Sequence, residues 1–285
     1  MNFSRKAVLF PALFALVILS CNQPDKGPTT PSEEAGNKGI PAPANISWSV
    51  VNTYPHDTAA FTQGFEIYKG KIIESTGLTR RSTIRLVNLG DGKPALLKKN
   101  GDEVFGEGVT VLRDTAYQLT WQNHYVQLYK ASDLSPIGRV NWSSEGWGIT
   151  NDGTDLIISD GTDKLYFVHP GDLKLNRVLS VQDNLGPVNN LNELEYVNGY
   201  VYANRWQYDY IERIDPKSGF VVGRMDLKDM LKKYSKADVS YLTEPGSVGE
   251  QNGGVLNGIA WDAAKGSFLI TGKLWPSVFE IKLQN

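Results

Sequence analysis

Apolar and polar residues alternate in short runs along most of this chain, from about residue 46 to its end. An alternation with a period of two is typical of strands that bury one face. Turn sequences such as Lys69-Gly70 and Asn198-Gly199 separate many of the runs. The clearest alternating runs are residues 71–74, 117–120, 165–168, 200–203 and 267–270. The pattern predicts an all-β domain built from many short strands.

A five-fold repeat is superimposed on this alternation. Each copy opens with a short polar or aromatic phrase, continues into a strand, and ends about thirteen residues later in a second small polar cluster. The opening phrases are Phe61-Thr62-Gln63-Gly64, Phe105-Gly106-Glu107-Gly108, Gly146-Trp147-Gly148, Leu191-Asn192-Glu193 and Leu256-Asn257-Gly258. Counted from positions 63, 107, 147, 192 and 257, the steps are 44, 40, 45 and 65 residues. Because blades of four strands repeat at this period, we predict an all-β, five-bladed β-propeller.

The longest step contains a predicted insertion. Residues 227–236 have the apolar spacing of a short amphipathic helix, and the stretch from there to Gly254 reads as a loop on one face of the ring. Residues 48–51 and 278–281 both read as strands, and we expect them to complete one blade together, which removes an open edge. Strand counting alone also allows a six-bladed ring or a β-sandwich; the five-fold register favours five blades.

Composition narrows the function classes. The chain has 285 residues, 41 % of them hydrophobic, and a net charge of −2, which is typical of a globular protein. It contains no basic patch with interleaved aromatic residues, so nothing in it indicates nucleic acid as a partner. The three histidines, His56, His124 and His169, lack the paired spacing of a zinc site, and we assign them no chemistry.

The first 45 residues differ from the rest. Arg5 and Lys6 precede fourteen apolar residues, fewer than the about 20 that a spanning helix needs, and this pattern is typical of an export signal. Ile18-Leu19-Ser20-Cys21 is similar to the bacterial lipoprotein processing site, although an ordinary signal with an incidental cysteine is the alternative. We expect a lipoprotein signal peptide at residues 1–20, a flexible linker at 21–45 anchored through lipid on Cys21, and the propeller at 46–285. The protein would then be an exported bacterial lipoprotein at the periplasmic or cell-surface face of a membrane.

The register positions also predict which side chains converge. The first strand of each blade lines the central channel of a propeller, which predicts a ring of Gln63, Glu107, Trp147, Asn192 and Asn257. One interpretation is that these side chains only form hydrogen bonds with one another around a water-filled channel. The second column adds Trp121, Trp206 and Lys273 on the same rim. Desolvation among tryptophans raises the pKa of a carboxyl, and a lysine can donate to a developing oxyanion. The set suits acyl transfer to an attacking group that the substrate itself carries.

These phrases closely resemble those of the plant-type glutaminyl-peptide cyclotransferases, in order and in every predicted blade, from about residue 54 to residue 283. The resemblance extends to Tyr54-Pro55-His56-Asp57, Leu119-Thr120-Trp121, Glu145-Gly146-Trp147-Gly148, Asn257-Gly258-Ile259-Ala260 and Gly272-Lys273-Leu274-Trp275-Pro276. It implies a five-bladed propeller that converts the N-terminal glutamine of peptides or proteins to pyroglutamate and releases ammonia. It also implies no metal and no other cofactor.

Residue roles follow only from this resemblance. Glu107 matches the proton-transferring glutamate, and Lys273 matches the lysine that engages the reacting amide, with help from Asn192. The pocket for the glutamine side chain and amino terminus is implied at Phe61, Gln63, Trp121, Trp147, Asn192 and Trp206. Thr79-Arg80-Arg81-Ser82 and Arg205 depart from the family pattern at the rim, where they could alter peptide selectivity.

Two other functions remain open from the residues alone. One is a calcium-dependent hydrolase of the lactonase kind, with Glu107, Asn192 and Asn257 as oxygen ligands. The other is a non-catalytic propeller that presents its aromatic rim to peptides or sugars. We expect a monomer whose partners are Gln-initiated peptides or proteins and, through Cys21, a membrane.

Overall fold

The computed structural model describes residues 39–245, 247 and 253–284. The predicted signal peptide, Cys21 and most of the predicted linker lie outside these residues, as does part of the predicted loop before Gly254. No helix within the described ranges is long and apolar enough to cross a membrane.

The described residues form short strands and two short helices. The strands of the first half are β1 (Ala44–Asn45), β2 (Trp48–Pro55), β3 (Thr62–Tyr68), β4 (Lys71–Thr76), β5 (Thr83–Asn88), β6 (Lys93–Lys99), β7 (Gly106–Leu112), β8 (Thr115–Thr120), β9 (Tyr125–Lys130) and β10 (Pro136–Asn141). Those of the second half are β11 (Ile149–Asn151), β12 (Leu156–Ser159), β13 (Lys164–Val168), β14 (Leu175–Ser180), β15 (Gln182–Asp183), β16 (Gly186–Pro187), β17 (Leu191–Val197), β18 (Tyr200–Arg205), β19 (Tyr210–Ile214), β20 (Val221–Asp226), β21 (Leu256–Asp262), β22 (Ser267–Gly272) and β23 (Ser277–Leu283). The helices are α1 (Met230–Tyr234) and α2 (Ser240–Thr243).

Among the described residues, 21 strands assemble into five sheets, β15 and β16 pair as a separate two-stranded sheet, and the prediction of a five-bladed propeller is confirmed. The sheets have the orders β3-β4-β5-β6, β7-β8-β9-β10, β11-β12-β13-β14, β17-β18-β19-β20-β1 and β21-β22-β23-β2. The innermost strands β3, β7, β11, β17 and β21 each contact the next one, and β21 returns to β3. The ring is therefore closed, with four of the five register positions on its inner strands and Trp147 just before β11.

Apolar side chains fill the space between neighbouring blades. Five clusters of buried residues separate the five sheets. Between the first two blades, for example, Ile73 and Ile84 of one sheet pack against Val109 and Ala116 of the next. This arrangement explains the alternation: one face of each strand packs against the preceding blade and the other against the following blade, so few positions of the inner strands are exposed.

The two chain ends close the ring, as predicted. β2 pairs antiparallel with β23, from Trp48 opposite Leu283 to Pro55 opposite Ser277. In addition, β1 pairs parallel with β20, the outer strand of the neighbouring blade, and Ile46 is buried beside it. The predicted domain start at residue 46 thus lies just after a strand that is already paired.

The insertion contains the predicted helix in a shorter form. Helix α1 begins only at Met230, because Asp229 has a left-handed φ of 60°, and extended backbone at Ser235 ends it. Met230 and Leu231 are buried in the cluster between the last two blades, as the apolar spacing indicated. Helix α2 follows at Ser240–Thr243, where the sequence predicted a loop.

Candidate active site

A β-bulge interrupts the inner strand of the second blade at Glu107. Gly106 pairs with Thr120 and Val109 with Gln118, so the inner strand has one residue more than its partner between these pairs. An extra residue breaks the alternation of faces and re-aims a side chain, and bulges of this kind are frequent beside active sites. The bulge therefore changes the direction of the Glu107 side chain at the point where the inner strand leaves regular pairing.

The same one-residue irregularity recurs at the register positions of three other blades. The irregularities fall at Gln63, between Leu191 and Leu194 around Asn192, and between Leu256 and Ile259 around Asn257. In the third blade the strand begins only at Ile149, and Trp147 precedes it. The repeated phrase of the sequence therefore marks the points where each inner strand leaves regular pairing at one mouth of the channel.

Glycine is required at these positions because the inner strands approach closely. A Cβ on Gly108 would lie 2.8 Å from the backbone nitrogen of Ile149, and one on Gly148 would overlap the carbonyl of Asn192. The fourth blade has Glu193 at the corresponding position. Its buried carboxylate accepts the backbone N–H groups of Phe65 at 3.0 Å and Ile259 at 2.8 Å. Through these two hydrogen bonds, Glu193 of the fourth blade is connected to the inner strands of the first and fifth blades.

A cavity of about 580 Å³ opens at this mouth of the ring. It is lined by Phe61, Gln63, Phe105, Trp121, Trp147, Asn192, Trp206, Gln207, Gly253 and Lys273. Every predicted substrate-binding residue and Lys273 are therefore brought together. Glu107 is not among the lining residues: it is 5 % exposed. Within the described residues it forms no direct ion pair with Lys273, but the charge of each group shifts the pKa of the other.

Aromatic rings form an arc around the cavity. Phe61 packs edge-on against Phe105, with ring centroids 6.2 Å apart, and Phe105 packs against Trp121 at 5.7 Å. A second pair, Trp147 and Trp206, stands edge-to-face at 5.8 Å. The arc supplies the apolar walls expected of a small-molecule pocket.

Glu107 and Lys273 have strongly perturbed acidities. Burial raises the pKa of Glu107 well above its ordinary value; the positive charge of Lys273 opposes this effect and the negative charge of Glu145 adds to it. Burial lowers the pKa of Lys273 to about 8, against the opposing attraction of Glu107. The Lys273 ammonium lies 4.8 Å from the centroid of the Phe61 ring. Perturbed acid and base groups beside a cavity are characteristic of catalytic sites.

A buried polar network holds the segment that carries Lys273. The backbone N–H of Leu274 donates to Ala60 at 2.7 Å, and the His56 ring lies 2.8 Å from the carbonyl oxygen of Trp275. The other ring nitrogen of His56 lies 3.0 Å from Glu74. The buried Glu74 also pairs with Arg85 at 2.9 Å. Burial raises the pKa of Glu74, but the charges of Arg85 and His56 outweigh it and hold the pKa at about 2.

The amide side chains have distinct orientations. Asn257 donates from Nδ2 to Gln63 Oε1 at 3.2 Å and to the carbonyl of Thr62 at 3.0 Å. Since the Gln63 oxygen is thereby occupied, its Nε2 group is the part that can donate into the cavity. The buried Oδ1 of Asn192 has no donor within reach among the described residues. A buried acceptor without a partner is costly, so this oxygen is suited to an N–H group that a ligand supplies.

Several neighbours of the site were not assigned from sequence. Phe105 lines the cavity at the position in its repeat that Phe61 occupies in the first, so the register itself was the available signal. Gln207 and Gly253 carry no comparable signal. Of the predicted ring, Asn257 is buried and acts on Gln63 rather than lining the cavity. Trp275, which follows Lys273, packs into the core against Phe279.

The rim residue Arg205 is fixed by its own blade. Its guanidinium donates to the Tyr210 hydroxyl at 2.7 Å and to the carbonyl of Asn189 at 2.7 Å, and it stacks on Tyr208 at 4.2 Å. The cation is thus held beside Trp206 at the cavity edge. Within the part of the chain that the structure describes, no cluster of three or more His, Cys, Asp or Glu side chains could hold a metal ion.

Comparisons with known proteins identify the family of this chain. A family model described as glutamine cyclotransferase matches residues 18–283. The chain is 40 % identical over 238 residues to glutaminyl-peptide cyclotransferase of Arabidopsis thaliana, across 82 % of this chain and 71 % of that protein. The crystal structure of Myxococcus xanthus glutaminyl cyclase superposes with a TM-score of 0.74 at 32 % identity, covering 85 % of this chain and 98 % of that one. The resemblance is confirmed, and the chain belongs to the glutamine cyclotransferase family.

Proposed function

We propose that this protein is a glutaminyl-peptide cyclotransferase, an acyltransferase that converts the N-terminal glutamine of peptides or proteins to pyroglutamate. The observation that carries the proposal is an aromatic-walled cavity that Lys273 lines, with a buried Glu107 whose charge acts on that lysine, in a member of this family. The acyl group leaves the amide nitrogen of the glutamine side chain and is transferred to the α-amine of the same residue. The substrate thus supplies its own nucleophile.

The reaction needs two proton movements. The neutral α-amine attacks the side-chain carbonyl carbon, forming the ring C–N bond and an oxyanion. Glu107 accepts the proton that the attacking nitrogen releases and delivers it to the departing nitrogen, so that ammonia leaves when the old C–N bond breaks. The raised pKa of Glu107 suits both steps, because a carboxyl with an ordinary pKa would be a poor acid near neutral pH.

Lys273 stabilises the oxyanion. Its ammonium is buried, so its attraction to a developing negative charge is little screened by water. The Nε2 group of Gln63 is a second donor that faces the cavity. The sequence comparison implied that Asn192 assists at the oxyanion, whereas its unpartnered Oδ1 favours acceptance of an N–H group from the substrate. The aromatic arc holds the flexible side chain folded toward its own amine, and such positioning lowers the barrier.

The charge states define a pH dependence. Glu107 must be ionised to accept a proton, and Lys273 must be protonated to donate. We expect kcat/KM to fall in acid as pH drops through the raised pKa of Glu107, and to fall again in base above about 8 as Lys273 loses its proton. The substrate amine, with a pKa of about 7.7–8.0, adds to the acid limb.

The calcium-dependent hydrolase is a weaker proposal for this site. The positive charge of a protonated Lys273, which acts on Glu107, would repel a divalent cation from the carboxylate that would have to bind it. The decisive test is incubation of the protein with a Gln-initiated peptide, with and without a chelator, followed by mass spectrometry. Loss of one ammonia in both conditions supports the cyclotransferase. Loss only without chelator favours a metal, and no loss in either favours the binding propeller.

For the amino-terminal segment we propose lipidation at Cys21 and display on the periplasmic or cell-surface face of a membrane. The proposal is supported by the apolar stretch and the Ile18-Leu19-Ser20-Cys21 sequence. A Cys21→Ser variant expressed in a bacterium is expected to lose its label from a radioactive fatty acid and to leave the membrane fraction. Wild-type-like labelling of this variant would contradict it. We further propose that the protein is a monomer, which light scattering would test.

A further inference from the structure

Glu145 links the two halves of the aromatic arc. Its Oε2 atom accepts the indole N–H of Trp121 at 2.8 Å and that of Trp147 at 3.1 Å. Its Oε1 atom accepts a hydrogen bond from Gln122 at 3.0 Å. The backbone oxygen of Glu145 accepts a third indole N–H, from Trp142 at 3.1 Å. Three of the seven tryptophans of the chain therefore donate to this one residue.

Trp121 depends most on this support, whereas the Trp147 ring also packs against Gly161, where an added Cβ would lie 2.6 Å from the indole. Trp121 is 38 % exposed, so an indole at this position without a polar partner could adopt other rotamers. Its ring otherwise contacts Phe105, and that of Trp147 contacts Trp206. Hydrogen bonds to a charged acceptor are about twice as strong as those between neutral groups. The two bonds to Oε2 thus fix the angle between two walls that come from different blades.

We propose that Glu145 is a positioning residue that sets the shape of the cavity by holding Trp121 and Trp147. It acts on the substrate through these indoles rather than by direct contact. The inference rests on the proposed function, since the walls matter only if they fold a glutamine side chain toward its own amine. Its charge also acts on Glu107: with Lys273 opposing, the negative charge of Glu145 helps to raise the pKa of that carboxyl.

The test compares Glu145→Gln and Glu145→Asp with the wild-type full chain. Glutamine keeps the size but has one acceptor oxygen and no charge; aspartate keeps the charge but is one methylene shorter and cannot reach both indoles. The control is Glu103→Gln, which removes a charge from an exposed residue in the loop between β6 and β7 that forms no hydrogen bond to an indole. Two readouts are measured: ammonia release from a Gln-initiated dipeptide over a range of pH, and the indole N–H resonances in a ¹⁵N spectrum.

We expect kcat to fall about ten- to a hundredfold in both Glu145 variants, because small displacements of positioning groups cost this much. The resonances of Trp121 and Trp147 should move, while that of Trp142, bonded to the backbone oxygen, should stay as an internal check of folding. The acid limb of the pH profile should move to lower pH in Glu145→Gln and remain in place in Glu145→Asp. Glu103→Gln should behave as wild type in both readouts.

Two results would overturn the inference. One is unmoved Trp121 and Trp147 resonances in both Glu145 variants, whatever their activity. The other is moved resonances with wild-type kcat. If a variant loses the Trp142 resonance as well, it has not kept its fold, and the other Glu145 variant decides. Absence of ammonia release by the wild-type chain would instead count against the proposed function and is thus distinguishable.

Discussion

The buried charge of Lys273 is expected to lower the free energy of unfolding of the protein. Its side chain is buried, and burial lowers its pKa from 10.5 to about 8. Each factor of ten in a protonation equilibrium corresponds to about 1.4 kcal/mol, so this fall corresponds to roughly 3 kcal/mol of folding free energy at neutral pH. Replacement of Lys273 by Met removes the charge and keeps a flexible apolar chain of similar length.

The gain is reduced by one lost contact. The ammonium lies 4.8 Å from the Phe61 ring centroid, and a desolvated cation–π contact contributes up to about 2 kcal/mol. The attraction to Glu107 is already contained in the pKa. We therefore expect Lys273→Met to raise the free energy of unfolding by about 1–3 kcal/mol at pH 7, while activity falls about a hundredfold or more through loss of the oxyanion donor.

The pH dependence of this gain identifies its cause. Between about pH 8 and 10.5 the unfolded wild-type chain binds a proton at Lys273 that the folded chain does not, so wild-type stability rises with pH in this window. The advantage of Lys273→Met is thus complete below about pH 8 and disappears toward pH 10.5. Urea unfolding at pH 7 and pH 10.5, followed by circular dichroism, measures it. Lys71→Met, at an exposed strand end, is the control and should change stability by no more than about 0.5 kcal/mol. The reasoning would be refuted if Lys273→Met were less stable than wild type at pH 7. It would also be refuted if the difference in free energy of unfolding between the two were the same at pH 7 and pH 10.5.

Other substitutions test the catalytic pair, the supporting network and the close strand approach. Glu107→Gln should reduce ammonia release about 10²- to 10⁴-fold, because glutamine cannot transfer the proton. Stability should not fall, because burial opposes the ionisation of the carboxyl that is removed. Activity within tenfold of wild type would exclude Glu107 from proton transfer. Arg85→Leu should cost about 3–5 kcal/mol in urea unfolding because Glu74 remains buried, whereas Lys99→Leu, which breaks an exposed pair, should cost less than about 1 kcal/mol. Because Glu74 has a folded pKa of about 2, the Arg85 effect should be complete above about pH 4.5 and shrink as pH falls below it; equal losses at pH 7 and pH 3 would contradict this assignment. Gly148→Ala should lower the melting temperature and kcat together, since its Cβ overlaps a carbonyl of the next inner strand; an unchanged melting temperature would show that the strand can shift.

The blade count, the order of strands and the residues around the cavity could be predicted from sequence because they repeat. A period of 40–45 residues fixes equivalent positions, and the ring brings equivalent positions to one axis. Gln63, Asn192 and Lys273 were found in this way, and Phe105 would have been found by comparing it with Phe61, which has the same position in the first phrase. The bulges were hidden because an extra residue changes pairing without changing composition.

The role proposed for Glu145 could not be predicted for a different reason. Its hydrogen bond to Trp121 joins residues 24 apart in sequence that belong to different repeat units. Equivalent positions of the repeat carry no such acid, so the register contains no signal for it. The start of α1 was likewise set by one residue, Asp229, whose left-handed backbone no apolar pattern encodes.

The pairing of β2 with β23 determines when this protein can fold. The strand that completes the last blade is synthesised well before its partner, and the other blades lie between them in the chain. Until residues 277–283 are available, β2 has no partner and the toroid stays open, so completion must wait for synthesis of β23. A chain that lacks these few residues would leave the edges of β2 and β22 without their hydrogen-bonding partner. Such a chain is expected to aggregate or be degraded rather than persist as a nearly intact enzyme.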